Sequence, residues 1–306
     1  RAECSEAIMR AVEDGRGSPN GGAFLDMTKN MTAPKSGKYF MKYLKSALPS
    51  AYNNARQALG KEAGKAEIPW EVRPSAHYSM GGIRVDEYTR VIYSTEDLYE
   101  PKIIKGLFAA GQAMGGLFGA NRLGSTSLTE LAVFGYRAGK AAAKHVNQSS
   151  KIKNYDIFHE HYLSFKNIFN KKGKLKAYKL KLDLQKKCWD NIGPARTEKK
   201  LKKMLLFLNK TEKDLNNINV PNEMIWNQQF IDFIELKNMI ITAKAVTISS
   251  LKRDKSVGGH VRLDKKTSSL FYKPYTTLVK VNKNNSTGGH KLFRQKTPLK
   301  RIINYK

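Results

Sequence analysis

A histidine, an arginine and a run of glycines are the residues in this chain best suited to chemistry. His77 opens the string HYSMGG, which ends at Gly82. Arg122 lies within GLFAAGQAMGGLFGANRLGSTSLTELAVFGYRAG, which runs from Gly106 to Gly139. Gly106, Gly111, Gly115, Gly116, Gly119 and Gly124 precede a helical pattern that opens near Ser127. Glycines so placed let backbone approach a ligand and adopt positive φ. A helix start offers unpaired N–H groups and the positive end of its dipole. An arginine beside that end makes an anion site, and its planar fork suits a carboxylate. The chemistry implied is a dicarboxylate or cofactor cradle. A lone histidine is more often a hydrogen-bonded core residue, and a lone arginine a surface charge.

The elements that must position these residues follow from periodicity. Ser127 to His145 reads as a helix, with Leu128, Leu131, Ala132, Phe134 and Ala138 on one apolar face. Gly106 to Gly111 is expected to be a short buried strand ending in a turn, and Ile83 to Tyr93 a strand or hairpin. Residues 2–16 have helical spacing from the start, closed by Gly15, which suggests a chain cut from something longer. Ala23 to Met27 forms a candidate strand, and residues 39–60 one or two helices broken at Pro49 and ended by Gly60. Residues 155–170, 173–190, 198–215 and 225–251 suggest a three- or four-helix bundle. The last fifty residues, lysine-rich and glycine-punctuated, are expected to be irregular.

Charge divides the chain. Of its 306 residues, 1–150 carry 20 Lys+Arg against 14 Asp+Glu, whereas 151–306 carry 35 against 12. The change falls at Asn147 to Ser150, taken as a domain boundary. Cys4 and Cys188 supply neither a metal framework nor a disulfide scaffold, so no metal site is expected. No apolar run is long enough to cross a membrane, and no signal-like segment opens the chain.

In this order, the segments resemble the flavoprotein subunit of succinate dehydrogenase and fumarate reductase. HYSMGGI, GLFAAG and GANRLGSTSLTELAVFG carry most of the likeness. Asp14 to Gly17 (DGRG), Phe24 to Thr28 (FLDMT), Ile68 to Tyr78, Asn191 to Arg196 (NIGPAR) and Glu235 to Val246 support it. Ser256 to Asp264 (SVGGHVRLD) is similar to a C-terminal SRGAH-type signature. Aspartate oxidases, which are related, usually carry cysteine where this chain has Met80.

The resemblance implies an α+β class with a partial FAD-dependent oxidoreductase fold. Residues 1–75 would be part of a capping domain, 76–146 the returning segment of the FAD domain, 150–252 a helical domain, and 253–306 an irregular basic tail. The implied reaction interconverts succinate and fumarate by hydride transfer at N5 of FAD. Electrons would pass through an iron–sulfur partner, beside membrane-anchor subunits. By position, Arg1 falls on the proton-delivering arginine, His77 and Arg122 on the substrate-carboxylate ligands, and Gln112, Ser127 and Leu128 on FAD-contacting positions. The implied location is the cytoplasm or the mitochondrial matrix, peripheral on an energy-transducing membrane.

The departures also matter. Ala2 replaces an aspartate, Glu6 an arginine, Gln112 a ribose-binding glutamate, Phe118 a histidine and Val257 an arginine of the family pattern. No G-x-G-x-x-G follows a strand, so the FAD-binding βαβ unit is expected on a further stretch or a separate chain. An alternative is a catalytically degenerate structural subunit of a respiratory complex. A third class, an anionic-surface or nucleic-acid binder, rests on the basic second half, which has no aromatic stacking platform.

Overall fold

The computed structural model describes residues 2–34, 37–93, 102–148, 156–169, 173–223, 225–265, 275–281 and 290–296. The chain divides into two compact units, Arg1–His77 and Tyr78–Lys306. Asn147 and Gln148 end a helix within the second unit, while Ser149 and Ser150 lie outside the described residues.

The first unit begins with α1 (Ala2–Glu13). It continues through strand β1 (Ala23–Leu25), helices α2 (Thr28–Thr32), α3 (Gly37–Ala47), α4 (Pro49–Leu59) and α5 (Lys61–Gly64), and strand β2 (Trp70–Val72). Pro49 separates α3 from α4 and sits in the first turn of the latter, where a missing N–H costs nothing. Gly60 ends α4 at φ +98°. The small core joins Leu44, Ala55, Ala63 and Trp70, with Phe40, Met41 and Tyr52 packed against it. Burying the Trp70 indole requires a partner for its N–H, and Nε1 donates to the Ala63 carbonyl at 2.8 Å. β1 and β2 pair antiparallel, Phe24 opposite Glu71. They meet tightly at Gly22, where a Cβ would come within 2.2 Å of the Val72 carbonyl oxygen.

The second unit opens with strands β3 (Ile83–Arg84), β4 (Arg90–Tyr93), β5 (Lys102–Phe108) and β6 (Met114–Gly115), followed by the long helix α6 (Thr126–Gln148). β3 runs parallel to β6, and β4 pairs antiparallel with β5 through an irregular register. Then come α7 (Asp156–Phe169), α8 (Ala177–Ile192), β7 (Ala195–Arg196), α9 (Glu198–Asp214), α10 (Gln228–Lys252) and β8 (Val261–Arg262). The last pair is β9 (Tyr275–Val281) and β10 (His290–Lys296).

The main core lies among α8, α9 and α10. Leu184, Met204, Leu208, Phe233, Leu236 and Ile240 are buried together, joined by Ile168 from α7. The spacing of Phe233, Leu236, Ile240 and Ala243 keeps one face of α10 inward over its whole length. Thr197 caps α9, accepting from the Lys200 N–H, and Asn227 caps α10, accepting from the Phe230 N–H. Ion pairs stitch the helices: Lys181 with Asp232 at 3.0 Å, and the buried Lys244 with Glu212 at 2.7 Å. Described residues thus form a helix-rich α+β molecule with short two-stranded sheets.

Three expectations from the sequence need correction. The segment from Gly106 to Gly111 is only partly buried: Gly106 and Leu107 are exposed on β5, whereas Phe108 meets His145 of α6 edge-on and Ala109 and Gly111 are buried. The predicted apolar face of α6 is also exposed: Leu128 is 73% accessible, and the residue buried on that helix is Glu130. Periodicity shows that a face is apolar, not that this chain covers it. Finally, the C-terminal stretch is not wholly irregular. Tyr275–Val281 and His290–Lys296 form a seven-residue antiparallel ladder, since Tyr, Thr, Val and Leu favour extended backbone despite the lysines among them.

Candidate functional site

Arg122 sits in the loop that leads into α6, and the backbone there is as unusual as its glycines suggest. Gly106, Gly111, Gly116 and Gly119 all have positive φ, and so does Ser125, immediately before α6, at 68°. A non-glycine residue in that region costs free energy that its surroundings must offset. The loop turns on bonds of its own: Asn121 Oδ1 accepts from the Arg122 N–H at 2.9 Å, and the Leu123 carbonyl accepts from Thr126 Oγ1 at 2.9 Å.

The Arg122 side chain folds back over Tyr78. Its guanidinium carbon stands 4.9 Å from the centre of the Tyr78 ring, and Nη1 donates to the Leu123 carbonyl at 2.9 Å. The face of an aromatic ring attracts a cation and leaves the in-plane N–H groups free to point elsewhere. Tyr78 is fixed in turn. Its hydroxyl donates to Glu130 Oε2 at 2.5 Å, and Phe118 meets its ring edge-on at 5.8 Å. Burial, and then the hydrogen bond to Glu130, push the Tyr78 phenol up to about 12, so it remains a donor.

Glu130 is 3% exposed, and its other oxygen, Oε1, is buried without a hydrogen-bond partner. Arg122 Nε is in the same condition, and these two are the side-chain atoms so placed among the described residues. Orphaned buried polar atoms are rare in folded proteins and mark places worth explaining. Neither Tyr78 nor Glu130 was singled out from sequence. The signal was faint: a glutamate in the first turns of an otherwise apolar helix stretch, and a tyrosine next to His77.

The other sequence-derived candidates are placed as follows. His77 is exposed at the end of the first unit. Gln112 is exposed on a one-turn 3-10 helix, Gly111–Ala113, that packs against α6. The contact is close, since a Cβ on Gly111 would stand 2.6 Å from Leu131 Cδ2. Ser127 is half-buried and Leu128 exposed, both in the first turn of α6. Gln112, Ser127, Leu128 and the loop of Arg122 thus gather around one helix start. Arg1 lies outside the described residues. No cluster of three or more His, Cys, Asp or Glu residues able to hold a metal occurs among the described residues.

Residues 1–128 match the family described as FAD binding domain, and residues 181–297 that described as fumarate reductase flavoprotein C-term. The chain belongs to the succinate dehydrogenase and fumarate reductase flavoprotein family. Its cofactor is FAD. Among relatives, a fumarate reductase (CoM/CoB) subunit of Methanothermobacter marburgensis is 31% identical over 260 residues, covering 85% of this chain and 43% of its own length. The 8-methylmenaquinol:fumarate reductase flavoprotein subunit of Wolinella succinogenes is 33% identical, covering 65% of this chain and 32% of its own. Among solved structures, a quinol fumarate reductase of E. coli superposes with a TM-score of 0.81 at 26% identity, over 97% of this chain and 48% of that one. The Sdh1 complex of Mycobacterium smegmatis gives 0.79 at 29% identity, over 98% and 48%. The chain therefore spans about half the length of the relatives it matches.

The residues present fit such a cofactor. The loop into α6 holds positive φ at Gly116, Gly119 and Ser125, an added Cβ on either glycine would meet nothing within 4 Å, and a cation with an unmet donor lies beside it. That donor set suits an anion or a polar ring edge. Among the described residues no helix is long and apolar enough to cross a membrane.

Proposed function

We propose that this chain is part of a flavin-dependent oxidoreductase that interconverts succinate and fumarate. The observation that carries the reading is Arg122, seated on the Tyr78 ring beside the α6 start with a buried donor unmet. Bound FAD would supply a hydride donor or acceptor at N5. Gln112, Ser127 and Leu128 would contact it, and the positive end of α6 would favour negative charge on it. Arg122 and His77 would hold the carboxylates of the dianion, and Arg122 would stabilise charge that builds on one of them in the transition state. Arg1 would deliver the proton. A free guanidinium hardly deprotonates, so that step calls for a relay with neighbouring groups. Residues 1–75 would serve as part of the capping domain, 76–146 as the returning segment of the FAD domain and 150–252 as the helical domain. Membrane anchors and an iron–sulfur subunit would carry the electrons onward, with this chain peripheral on an energy-transducing membrane.

The test is to purify the chain with a polypeptide that carries the G-x-G-x-x-G half of the flavin site and to measure fumarate reduction. Arg122→Ala should abolish turnover, by roughly 10²-fold or more, while flavin absorbance persists. A complex that holds flavin yet turns over neither succinate nor fumarate would instead mark a structural subunit.

A further inference from the structure

The turn that carries the altered C-terminal signature presses backbone to backbone on the loop of Arg122. Gly258 has φ +53°, and a Cβ built there would come within 2.2 Å of the Ala120 carbonyl oxygen. No side chain fits in that space, and backbone cannot yield as a flexible side-chain tip can. The neighbouring Gly259 N–H donates to the same oxygen at 3.0 Å. A Cβ on Gly259 would also stand 3.3 Å from Met80 Cε. One turn therefore touches both strings that define the cradle, GANR at Ala120 and HYSMGG at Met80.

This turn is rigidly mounted. Val257 and His260 exchange backbone hydrogen bonds of 2.9 and 3.0 Å across it. Arg196 Nη1 lies 2.8 Å from His260 Nδ1, and because a guanidinium can only donate, Nδ1 must accept. Nε2 of His260 then carries the proton and donates to the Arg253 carbonyl at 3.0 Å. Arg196 is itself pinned, donating to the Ile192 and Gly193 carbonyls and to Ser250 Oγ. Arg262, 2% exposed, donates to the Ser250 and Arg253 carbonyls and pairs with Asp264. The C-terminal end of α10 and the β7–β8 pair thus form one polar block beneath the turn.

We infer that Gly258 and Gly259, mounted through His260 and Arg196 on the helical bundle, are positioning residues that set where Arg122 points. Ala120 lies two residues before Arg122. A carbonyl both bonded and abutted by glycine backbone fixes the height of that loop, and the guanidinium follows its loop. Misplacing a binding group by about 1 Å can cost on the order of 10²-fold in rate. The bundle is on this view part of the binding site's geometry. The inference rests on Arg122 being a carboxylate ligand, as proposed above.

The experiment uses the full chain labelled with 15N-arginine. The Arg122 Nε–Hε resonance, assigned by its loss in Arg122→Ala, reports the position of the side chain. Malonate, a dicarboxylate that cannot be reduced or oxidised at a carbon–carbon bond, is the probe titrated by calorimetry. Gly258→Ala should move the resonance and weaken malonate binding by about tenfold or more. Gly135→Ala on α6, whose added Cβ would meet nothing within 4 Å, should move neither. His260→Leu should act like Gly258→Ala, and His260→Gln, which can still accept from Arg196 and donate to Arg253, should restore both readouts. If Gly258→Ala does not fold, the two His260 variants decide the matter on the same readouts. An unchanged resonance and unchanged affinity in folded Gly258→Ala and His260→Leu would overturn the inference. Unchanged malonate binding in Arg122→Ala would instead overturn the ligand role of Arg122, and the resonance alone would then confirm or sink the positioning role.

Discussion

Glu130 presents an unusual combination, a carboxylate buried in a helix stretch that sequence reads as apolar, with one oxygen bonded to Tyr78 and the other unmet. Removing the phenol hydroxyl should therefore expose a cost out of proportion to one atom. Tyr78→Phe keeps the ring under Arg122 but leaves both Glu130 oxygens unsatisfied, and is expected to lower stability by about 1–3 kcal/mol in urea unfolding. An unchanged midpoint would mean that Glu130 finds another donor. Arg122 was legible from sequence because GANRLG puts a cation where glycines and a helix start already define a cradle. Tyr78 and Glu130 were not, because their roles come from a contact between residues far apart in the chain. His77 is exposed, at the end of the first unit.

At the scale of elements, helices were read well wherever local signals repeat. The 3.6-residue period, the break at Pro49 and the stop at Gly60 are all local. What failed were statements about coverage. The exposed β5 and the open face of α6 depend on what lies above them, which no local pattern records. The β9–β10 ladder was missed because lysine content masked a run of β-branched residues. Two substitutions test the packing argument from opposite sides. Leu184→Ala, fully buried among α8, α9 and α10, should cost about 2–5 kcal/mol by the lost transfer and the cavity left behind. Gly139→Ala in α6 meets open space and should stabilise the helix by about 0.5–1 kcal/mol, read as a higher thermal midpoint.

For the molecule as a whole, the polar block around His260 makes stability depend on pH. Burial, and then the Arg196 charge, with Arg253 and Arg262 nearby, pull the His260 imidazole down to about 4. The unfolded chain binds that proton first, near pH 6.5, so the folded state gains from neutrality above 6.5 and loses the gain as pH falls toward 4. The loss should reach about 3 kcal/mol, and His260→Gln should flatten the profile over that window. Burial also lowers Arg196, to about 10, well above this range, so it remains a cation throughout. The whole chain carries a net charge of +29, which makes weak, salt-sensitive attraction to polyanions a background property, to be separated from any specific binding by titrating ionic strength. The uncovered stripe of α6 acts in another way. Leu128, Tyr136 and Val146 are each 70% exposed or more, on one helix. Repulsion among like-charged copies keeps such surfaces apart in dilute buffer, and added salt screens it. Light scattering should therefore rise with ionic strength as apolar stripes find each other, and Tyr136→Lys with Val146→Lys should suppress the rise.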